Sequence, residues 1–218
     1  MNKMFKAALF DLDGVVLDTE SQYTVFWKQI FQRYYPDDAL LASKIKGQTL
    51  TQIFDSFFAG DKERQRLIED ELDAYERQLD FSYINGFEKF VALVREAGLK
   101  TAIVTSSNQK KMVSVYRSHP KFRDCFDAIL TSEDCRRSKP APDCYLLAAE
   151  RLGVSPAQSL VFEDSINGLR SGRASGAVVV GLSTTNPADV IAPLSDYVMA
   201  DYAGIPSFLW LEQQLVSR

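Results

Sequence analysis

The sequence is poor in the residues that build nucleophilic triads and transition-metal centres. Its 218 residues include one histidine, His119, and three cysteines, with no Cys-x-x-Cys spacing. This scarcity argues against a His-centred triad, a multi-histidine metal site and a zinc site. We interpret His119 as a surface-loop residue, and we expect Cys125, Cys135 and Cys144 to be free thiols.

Long apolar runs and an excess of basic residues are also missing. The longest apolar runs, such as residues 177–182, are too short to cross a bilayer. The first residues lack the pattern of a secretory signal, so we expect a cytoplasmic protein without a membrane partner. The formal net charge of −4 argues against binding to nucleic acid. Hydrophobic residues make up 46% of the chain, as in an ordinary globular protein. Separately, we expect the protein to be a monomer.

Short apolar segments recur along the chain and predict strands. They cover residues 7–10, 101–104, 160–162 and 178–180, with a weaker one at 128–130. Because they are apolar throughout rather than alternating, they are typical of strands buried on both faces of a parallel sheet. Helical patterns lie between them, including one that Pro142 opens and Gly153 ends. This alternation predicts a doubly wound, Rossmann-like α/β core.

Residues 18–82 interrupt that alternation with helical patterns alone. Sequences beginning at Thr19 and Thr49 resemble capping boxes, and a third such sequence follows later at Ser155. We interpret 18–82 as an inserted α-helical cap and residues 1–17 plus 83–218 as the catalytic core. The cap carries 8 basic and 13 acidic residues.

Polar side chains follow four of the five predicted strands, at the strand ends where ligands bind in open α/β sheets. They are Asp11 and Asp13, then Thr105, Ser106, Ser107 and Asn108, then Lys139, and finally Glu163 and Asp164. Four carboxylates beside one lysine need a cation, and an oxygen-only donor set favours Mg²⁺. Mg²⁺ beside a lysine predicts a site for a phosphoryl group, so we expect a small phosphate ester as substrate.

These residues stand in a recognisable order. Residues 11–19 read Asp-Leu-Asp-Gly-Val-Val-Leu-Asp-Thr, and Thr105, Lys139 and the pair Glu163-Asp164 follow. Together they resemble the four motifs of the haloacid dehalogenase superfamily. Segments 138–143 and 162–168 resemble more narrowly its β-phosphoglucomutase-like phosphatase branch. The resemblance covers nearly the whole chain, including the cap.

The resemblance implies a catalytic and metal-binding set. Asp11 would be the nucleophile, and Asp13 the general acid and base that protonates the leaving oxygen and then activates water. Asp11, Asp164 and the backbone carbonyl of Asp13 would bind Mg²⁺. Glu163 would sit beside the metal, as a ligand or through water.

The resemblance also implies a set of residues that bind the substrate. Thr105, Lys139 and the backbone N–H of Ser106 would hold the phosphoryl oxygens, and Ser107 and Asn108 would face the substrate. The cap would close over the site and read the leaving group. Its candidate specificity residues are Tyr23, Gly47, Gln48 and Leu50.

Each of these residues also has a structural interpretation. The aspartates could end a strand, Thr105 and Ser106 could cap the next helix, and Lys139 could be a solvated surface lysine. The Glu163-Asp164 pair could also be capping residues. The aromatic residues of the cap could form its core, and the loop around Gly47 could be solvated. Agreement among the four motifs favours the catalytic interpretation.

Two enzyme activities and one non-enzymatic role are compatible with these motifs. The first is a Mg²⁺-dependent phosphomonoesterase that hydrolyses a small metabolite, such as a sugar phosphate, through an aspartyl-phosphate intermediate. The alternative is β-phosphoglucomutase, and the third is an inactive binding or regulatory module. The mutase carries a histidine where this chain has Tyr23 and an arginine where it has Leu50, while a further cap lysine falls on or near Glu71. These differences favour the phosphatase.

Overall fold

A six-stranded, fully parallel sheet forms the centre of the protein in the computed structural model, which describes residues 4–38 and 40–216. The strand order is β3-β2-β1-β4-β5-β6. The strands are β1 Ala7–Phe10, β2 Lys100–Val104, β3 Ala128–Leu130, β4 Ser159–Glu163, β5 Val178–Leu182 and β6 Tyr197–Met199. The predicted doubly wound core is therefore confirmed. The order of the strands changes direction between β1 and β4, and in such sheets this switch places a crevice at the carboxyl ends of the two strands.

The central strand shows why its residues are apolar without interruption. Ala8 and Phe10 pack into one core cluster, and Ala7 and Leu9 pack into the cluster on the opposite face of the sheet. Successive side chains of a strand point to opposite faces, so a strand covered on both sides buries all of them. Phe10 also stacks on Phe162 of β4, with ring centroids 4.7 Å apart.

Ten α-helices lie in the described part of the chain. They are α1 Glu20–Tyr34, α2 Leu41–Lys44, α3 Leu50–Phe57, α4 Lys62–Glu76, α5 Phe87–Glu96, α6 Gln109–Ser118, α7 Asp143–Leu152, α8 Ile166–Ser175, α9 Ala188–Ile191 and α10 Phe208–Val216. Helices α7 and α8 contribute buried residues to one core cluster, and α5 and α10 contribute to the other. Within these ranges no helix has the length and apolar character that a bilayer span requires.

Helices α1–α4 follow β1 and form a cap with its own apolar cluster. Its buried members are Phe26, Trp27, Ile30, Phe31, Leu41, Ala42, Ile45, Ile53, Phe58, Ile68 and Leu72. The regularly spaced aromatic residues of this segment therefore mainly form the core of the cap. The boundaries 18–82 stay a prediction.

One predicted capping box is confirmed and two are wrong. The Thr49 hydroxyl accepts a hydrogen bond from Gln52 N, and the Gln52 side chain accepts one from Thr49 N at 2.8 Å. The Thr19 hydroxyl makes no cap bond to α1, because it donates to the Asp13 carboxylate instead. Ser155 precedes only a short 3₁₀ turn, Pro156–Gln158, and its side chain caps nothing.

The prediction of three free thiols is wrong for two of the cysteines. Cys135 and Cys144 form a disulfide, with Cα atoms 5.3 Å apart, and Cys125 is free. The loop from β3 to α7 brings Cys135 close to Cys144, the second residue of α7, at a distance that a disulfide can span. His119 is only partly exposed, since its Nε2 lies 2.8 Å from the Phe81 carbonyl oxygen and its ring packs on Tyr83.

Candidate active site

Asp11 leaves the end of β1 and meets a buried lysine. Lys139 Nζ donates to Asp11 Oδ1 at 2.6 Å, to Glu163 Oε1 at 2.6 Å and to the Val104 carbonyl oxygen at 2.9 Å. Only 2% of the lysine is exposed, which rules out the surface-lysine interpretation. One cation thus joins the carboxyl ends of β1, β2 and β4, and its neighbouring carboxylates raise its pKa against the opposing effect of burial.

Glu163 is fully engaged by protein donors. Its Oε1 accepts from Lys139 and from the Tyr145 hydroxyl at 2.8 Å. Its Oε2 accepts from Asp164 N, Ser165 N and the Ser165 hydroxyl at 3.1–3.2 Å. A Cβ at Gly168 would lie 1.8 Å from Oε1, so glycine there gives the carboxylate its room. These bonds fit Glu163 as a support for Lys139 and for the loop that carries Asp164.

Asp164 has an unsatisfied buried oxygen. Its Oδ2 makes no hydrogen bond to the protein, and carboxylate oxygens of Asp11, Glu163 and Asp164 lie within 4.8 Å of one another. Burial raises the pKa of Asp11 to about 7 despite Lys139, and burial and the carboxylates of Glu20 and Glu163 raise that of Asp164 well above its usual range. A buried oxygen-only donor set with excess negative charge fits a hard divalent cation.

A second buried lysine, Lys111, binds Asp13, and the sequence analysis missed it. Lys111 Nζ forms an ion pair with Asp13 Oδ1, which also accepts from the Thr19 hydroxyl, and the Ser107 hydroxyl donates to Oδ2 at 2.9 Å. Burial opposes ionisation of Asp13, but Lys111 and the hydroxyl donors outweigh it and lower its pKa. Nothing in the sequence distinguishes Lys111 from its neighbour Lys110 except the phase of the helix.

The loop after β2 lies beside the two aspartates. Thr105 is buried, and its hydroxyl accepts a hydrogen bond from Ser107 N at 3.0 Å, which shapes the turn. The suggestion that Thr105 and Ser106 cap the next helix is wrong: Asn108 is the N-cap of α6, and its Oδ1 accepts from Lys111 N at 2.9 Å. Thr105, Ser106, Ser107 and Asn108 all line one cavity with Asp11.

The cap forms the other wall of this cavity. The four predicted specificity residues, Tyr23, Gly47, Gln48 and Leu50, all line it. At Gly47 the cap loop approaches the core so closely that a Cβ would lie 2.5 Å from Ser165 Oγ, and the φ of +73° also favours glycine. The loop is therefore part of the cavity wall rather than a solvated loop.

The cap contributes further residues to this wall, beyond the four predicted specificity residues. They are Glu20, Thr24, Trp27, Ala42, Ile45, Lys46, Ile53, Leu72 and Glu76. Burial, helped by the Asp13 carboxylate, raises the pKa of Glu20 to about 7. Only the closure of the cap on the core brings these residues together, and no local pattern reports that contact.

Comparison with known proteins identifies the family. The model of haloacid dehalogenase-like hydrolases matches residues 8–182, which include every strand-end residue described above. The chain belongs to the haloacid dehalogenase-like hydrolase family. The resemblance of the four motifs is thereby confirmed, together with the predicted enzyme class.

Relatives within this hydrolase family include a mutase and a phosphatase. A β-phosphoglucomutase of Mycobacterium bovis is 31% identical over 236 residues, covering 91% of this chain and 90% of that protein. A fructose-1-phosphate phosphatase of Escherichia coli is 28% identical over 182 residues, covering 81% and 95%. The solved β-phosphoglucomutase of Clostridium difficile shares the fold at a TM-score of 0.81 and 21% identity, covering 98% of each chain.

Proposed function

We propose that the protein is a Mg²⁺-dependent phosphomonoesterase that hydrolyses a small phosphorylated metabolite, such as a sugar phosphate, through an aspartyl-phosphate on Asp11. One observation carries the proposal. The buried Asp11 carboxylate lies between the Lys139 ammonium and the unsatisfied oxygen of Asp164, with a second carboxylate two residues further along the chain. This arrangement suits a carboxylate nucleophile that attacks an anionic phosphoryl group.

The residues that would hold Mg²⁺ are Asp11, Asp164 and the backbone carbonyl of Asp13. The unsatisfied Asp164 Oδ2 supports this choice, whereas the five protein donors on Glu163 favour a supporting role for that residue. When bound, the cation would neutralise negative charge on the phosphoryl oxygens and on the carboxylates around them.

The first step transfers the phosphoryl group to the protein. An Asp11 carboxylate oxygen forms a bond to phosphorus while the bond from phosphorus to the leaving oxygen breaks. Lys139 fixes the direction of the nucleophile through Oδ1, and Lys139, Thr105 and Ser106 N–H hold the phosphoryl oxygens. Asp13 enters this step protonated and donates that proton to the leaving oxygen; the water of the second step replaces it.

The second step returns Asp11 to its free state. Asp13, now ionised, takes a proton from a water molecule, whose oxygen bonds to phosphorus as the bond to Asp11 breaks. Lys111 and the hydroxyls of Thr19 and Ser107 favour the ionised form of Asp13 that this step requires. Inorganic phosphate is the product.

Residues of the cap favour hydrolysis over mutase activity. A mutase must hold a second phosphate while its bisphosphate intermediate turns over. The cavity instead presents the carboxylates of Glu20 and Glu76 beside Lys46 and Lys111, and Lys111 is already paired with Asp13. Glu71 lies outside the cavity, where it pairs with Arg33 at 2.7 Å. The mutase relatives keep phosphoglucomutase as the second candidate.

The test is phosphate release from a panel of sugar phosphates, hexitol phosphates, nucleotides and pyrophosphate. We expect release with Mg²⁺, none with chelator, and a loss on the order of 10³-fold or more in D11N, because an amide is a poor nucleophile. D55N, at an exposed position of α3 in the cap, is the matched control and should keep full activity.

β-Glucose 1-phosphate belongs in the panel, with glucose 6-phosphate measured separately. If β-glucose 1-phosphate is converted to glucose 6-phosphate without release of free phosphate, the protein is a mutase and not a phosphatase. Activity of D11N within a few-fold of the wild type would contradict both enzymes. If the folded protein releases no phosphate from any ester of the panel, a role as a binding module is favoured. A monomeric, cytoplasmic protein without a nucleic-acid partner stays a prediction.

A further inference from the structure

Lys111 is a buried cation in an unusual position. It lies in the first turn of α6, only 2% of it is exposed, and its Nζ reaches Asp13 rather than solvent. The preceding residue, Lys110, points outward from the same helix and pairs with Asp73 of α4 at 3.1 Å. Two adjacent lysines thus have different environments, and only Lys111 enters the cavity.

The surroundings of Lys111 fix both oxygens of one carboxylate. Its ammonium binds Asp13 Oδ1 and donates to the Ser107 hydroxyl at 3.1 Å, and that hydroxyl donates to Oδ2 at 2.9 Å. These bonds form a closed triangle that opposes rotation of the carboxylate. The helix that carries the lysine is itself anchored, because Asn108 caps it through Lys111 N.

The cap completes this enclosure. The Tyr23 ring of α1 covers the ammonium, with Nζ 4.3 Å from the ring centroid, a distance suited to a cation–π interaction. The Tyr23 hydroxyl donates to Glu76 Oε1 of α4 at 2.7 Å, which holds the ring in place. Asp13, Lys111 and Tyr23 therefore connect the end of β1 to two helices of the cap.

We propose that Lys111 is a positioning residue: it holds the Asp13 carboxylate where the leaving oxygen and then the attacking water must meet it, and Tyr23 of the cap completes the arrangement. The inference rests on the proposed function, since it assigns Asp13 the acid and base role. Lys111 acts through Asp13 and need not touch the substrate. Proton transfer depends on the position of the carboxylate, so misplacement should slow the steps that use the proton.

The test compares two leaving groups. An alkyl phosphate, the best substrate of the panel above, needs its leaving oxygen protonated, whereas p-nitrophenyl phosphate releases a stabilised phenolate that does not. We expect K111M, which keeps the length of the side chain and removes the charge, to lower kcat/KM for the alkyl ester about 10²-fold. For p-nitrophenyl phosphate the loss should stay below about 10-fold, because kcat/KM reports only the steps up to departure of the phenolate.

Controls separate positioning from a general structural role. K110M makes the same change at the exposed neighbour and should leave kcat/KM for both esters within about 3-fold of the wild type, as for an exposed ion pair. K111R restores the cation and should recover part of the loss on the alkyl ester. Equal losses on the two esters in folded K111M, or no loss on either, would overturn the positioning role alone.

A second variant keeps the test decisive if K111M does not fold. S107A removes the hydroxyl that joins Lys111 to Asp13 Oδ2 and makes a small change in volume. It should show the same preferential loss on the alkyl ester, and equal effects on both esters would overturn the role. Wild-type protein that releases no phosphate from either ester would overturn the proposed function, and the positioning role with it.

Discussion

Gly14 is the residue at which the backbone and the candidate metal site constrain each other most closely. Its φ is +74°, a conformation that side chains other than hydrogen disfavour. A Cβ there would lie 2.1 Å from Asp164 Oδ2 and 2.7 Å from the Thr185 hydroxyl oxygen. The glycine thus permits the turn after Asp13 and also leaves space for the unsatisfied oxygen of Asp164.

Gly14 has two roles, in the backbone turn and in leaving space for Asp164. Comparing G14A with an alanine substitution at Gly176, which has only the first role, separates them. Gly176, the C-cap of α8, has a φ of +82° but nothing within 4 Å of its ideal Cβ. G176A should lower the free energy of unfolding by about 1–2 kcal/mol through backbone strain alone. G14A should lose more stability and should also raise the Mg²⁺ concentration that half-maximal phosphate release requires. Equal effects on stability with unchanged Mg²⁺ dependence in G14A would contradict this account.

The strand-end residues could be predicted from the sequence, and their neighbours could not. Asp11, Lys139 and Asp164 follow apolar runs, so topology alone brings them to one edge of the sheet. Lys111 and Tyr145 lie within helices, where only the phase of the helix and the packing decide which side chain turns inward. The five donors to Glu163 were not predicted, because Lys139 and Tyr145 come from another part of the chain and the other three from the loop that follows Glu163.

Helices α1 and α4 pair within the cap through polar groups as well as aromatic rings. The Tyr23 hydroxyl bonds to Glu76, and the Tyr75 hydroxyl donates to the Gln22 carbonyl oxygen at 2.9 Å. Burial raises the pKa of Glu76, although Lys111 and Tyr23 favour its ionised form. The folded protein therefore holds the Glu76 proton to a higher pH than the unfolded chain, and stability falls as pH rises through that interval.

Substitution of Glu76 should remove this pH dependence. The amide introduced by E76Q would keep an acceptor for Tyr23 and have no charge to bury, so the variant should gain stability relative to the wild type as pH rises from the ordinary glutamate pKa of 4.5. Chemical denaturation at several pH values measures the difference. E71Q, on the exposed face of α4, is the matched control and should change stability little. A relative stability of E76Q that falls with rising pH would contradict the prediction.

At the scale of elements, long and repetitive signals predicted the fold well. The five apolar runs correspond to β1–β5. The sequence analysis missed β6, the edge strand Tyr197–Met199, whose three apolar residues are shorter than the run that normally indicates a strand. The capping box predicted at Thr19 does not form, because the Thr19 hydroxyl donates to the Asp13 carboxylate instead of capping α1. The Cys135–Cys144 pair depends on the path of a loop, which its sequence does not specify.

In the proposed function, the core of the molecule carries the chemistry and the cap encloses the leaving group. Polar contacts between the two include Lys110 to Asp73, Gln52 Nε2 to the Lys139 carbonyl oxygen at 3.0 Å, and Lys46 Nζ to the Thr185 carbonyl oxygen at 3.5 Å. The contact through Gln52 links the cap to the loop that carries Lys139. The fold of each part could be predicted from its own sequence, but the cavity between them could not.

Chemical trapping of the phosphoryl group shows whether Asp11 carries it during turnover. A turnover mixture is quenched, reduced with borohydride, digested and analysed by mass spectrometry, since reduction converts an aspartyl-phosphate to homoserine. We predict homoserine at position 11 in the wild type and none in D11N. With p-nitrophenyl phosphate, whose leaving group needs no proton, we predict more homoserine in D13N than in the wild type, because only hydrolysis of the intermediate then depends on Asp13. Phosphate release without homoserine at position 11, or with homoserine at another aspartate, would contradict the account.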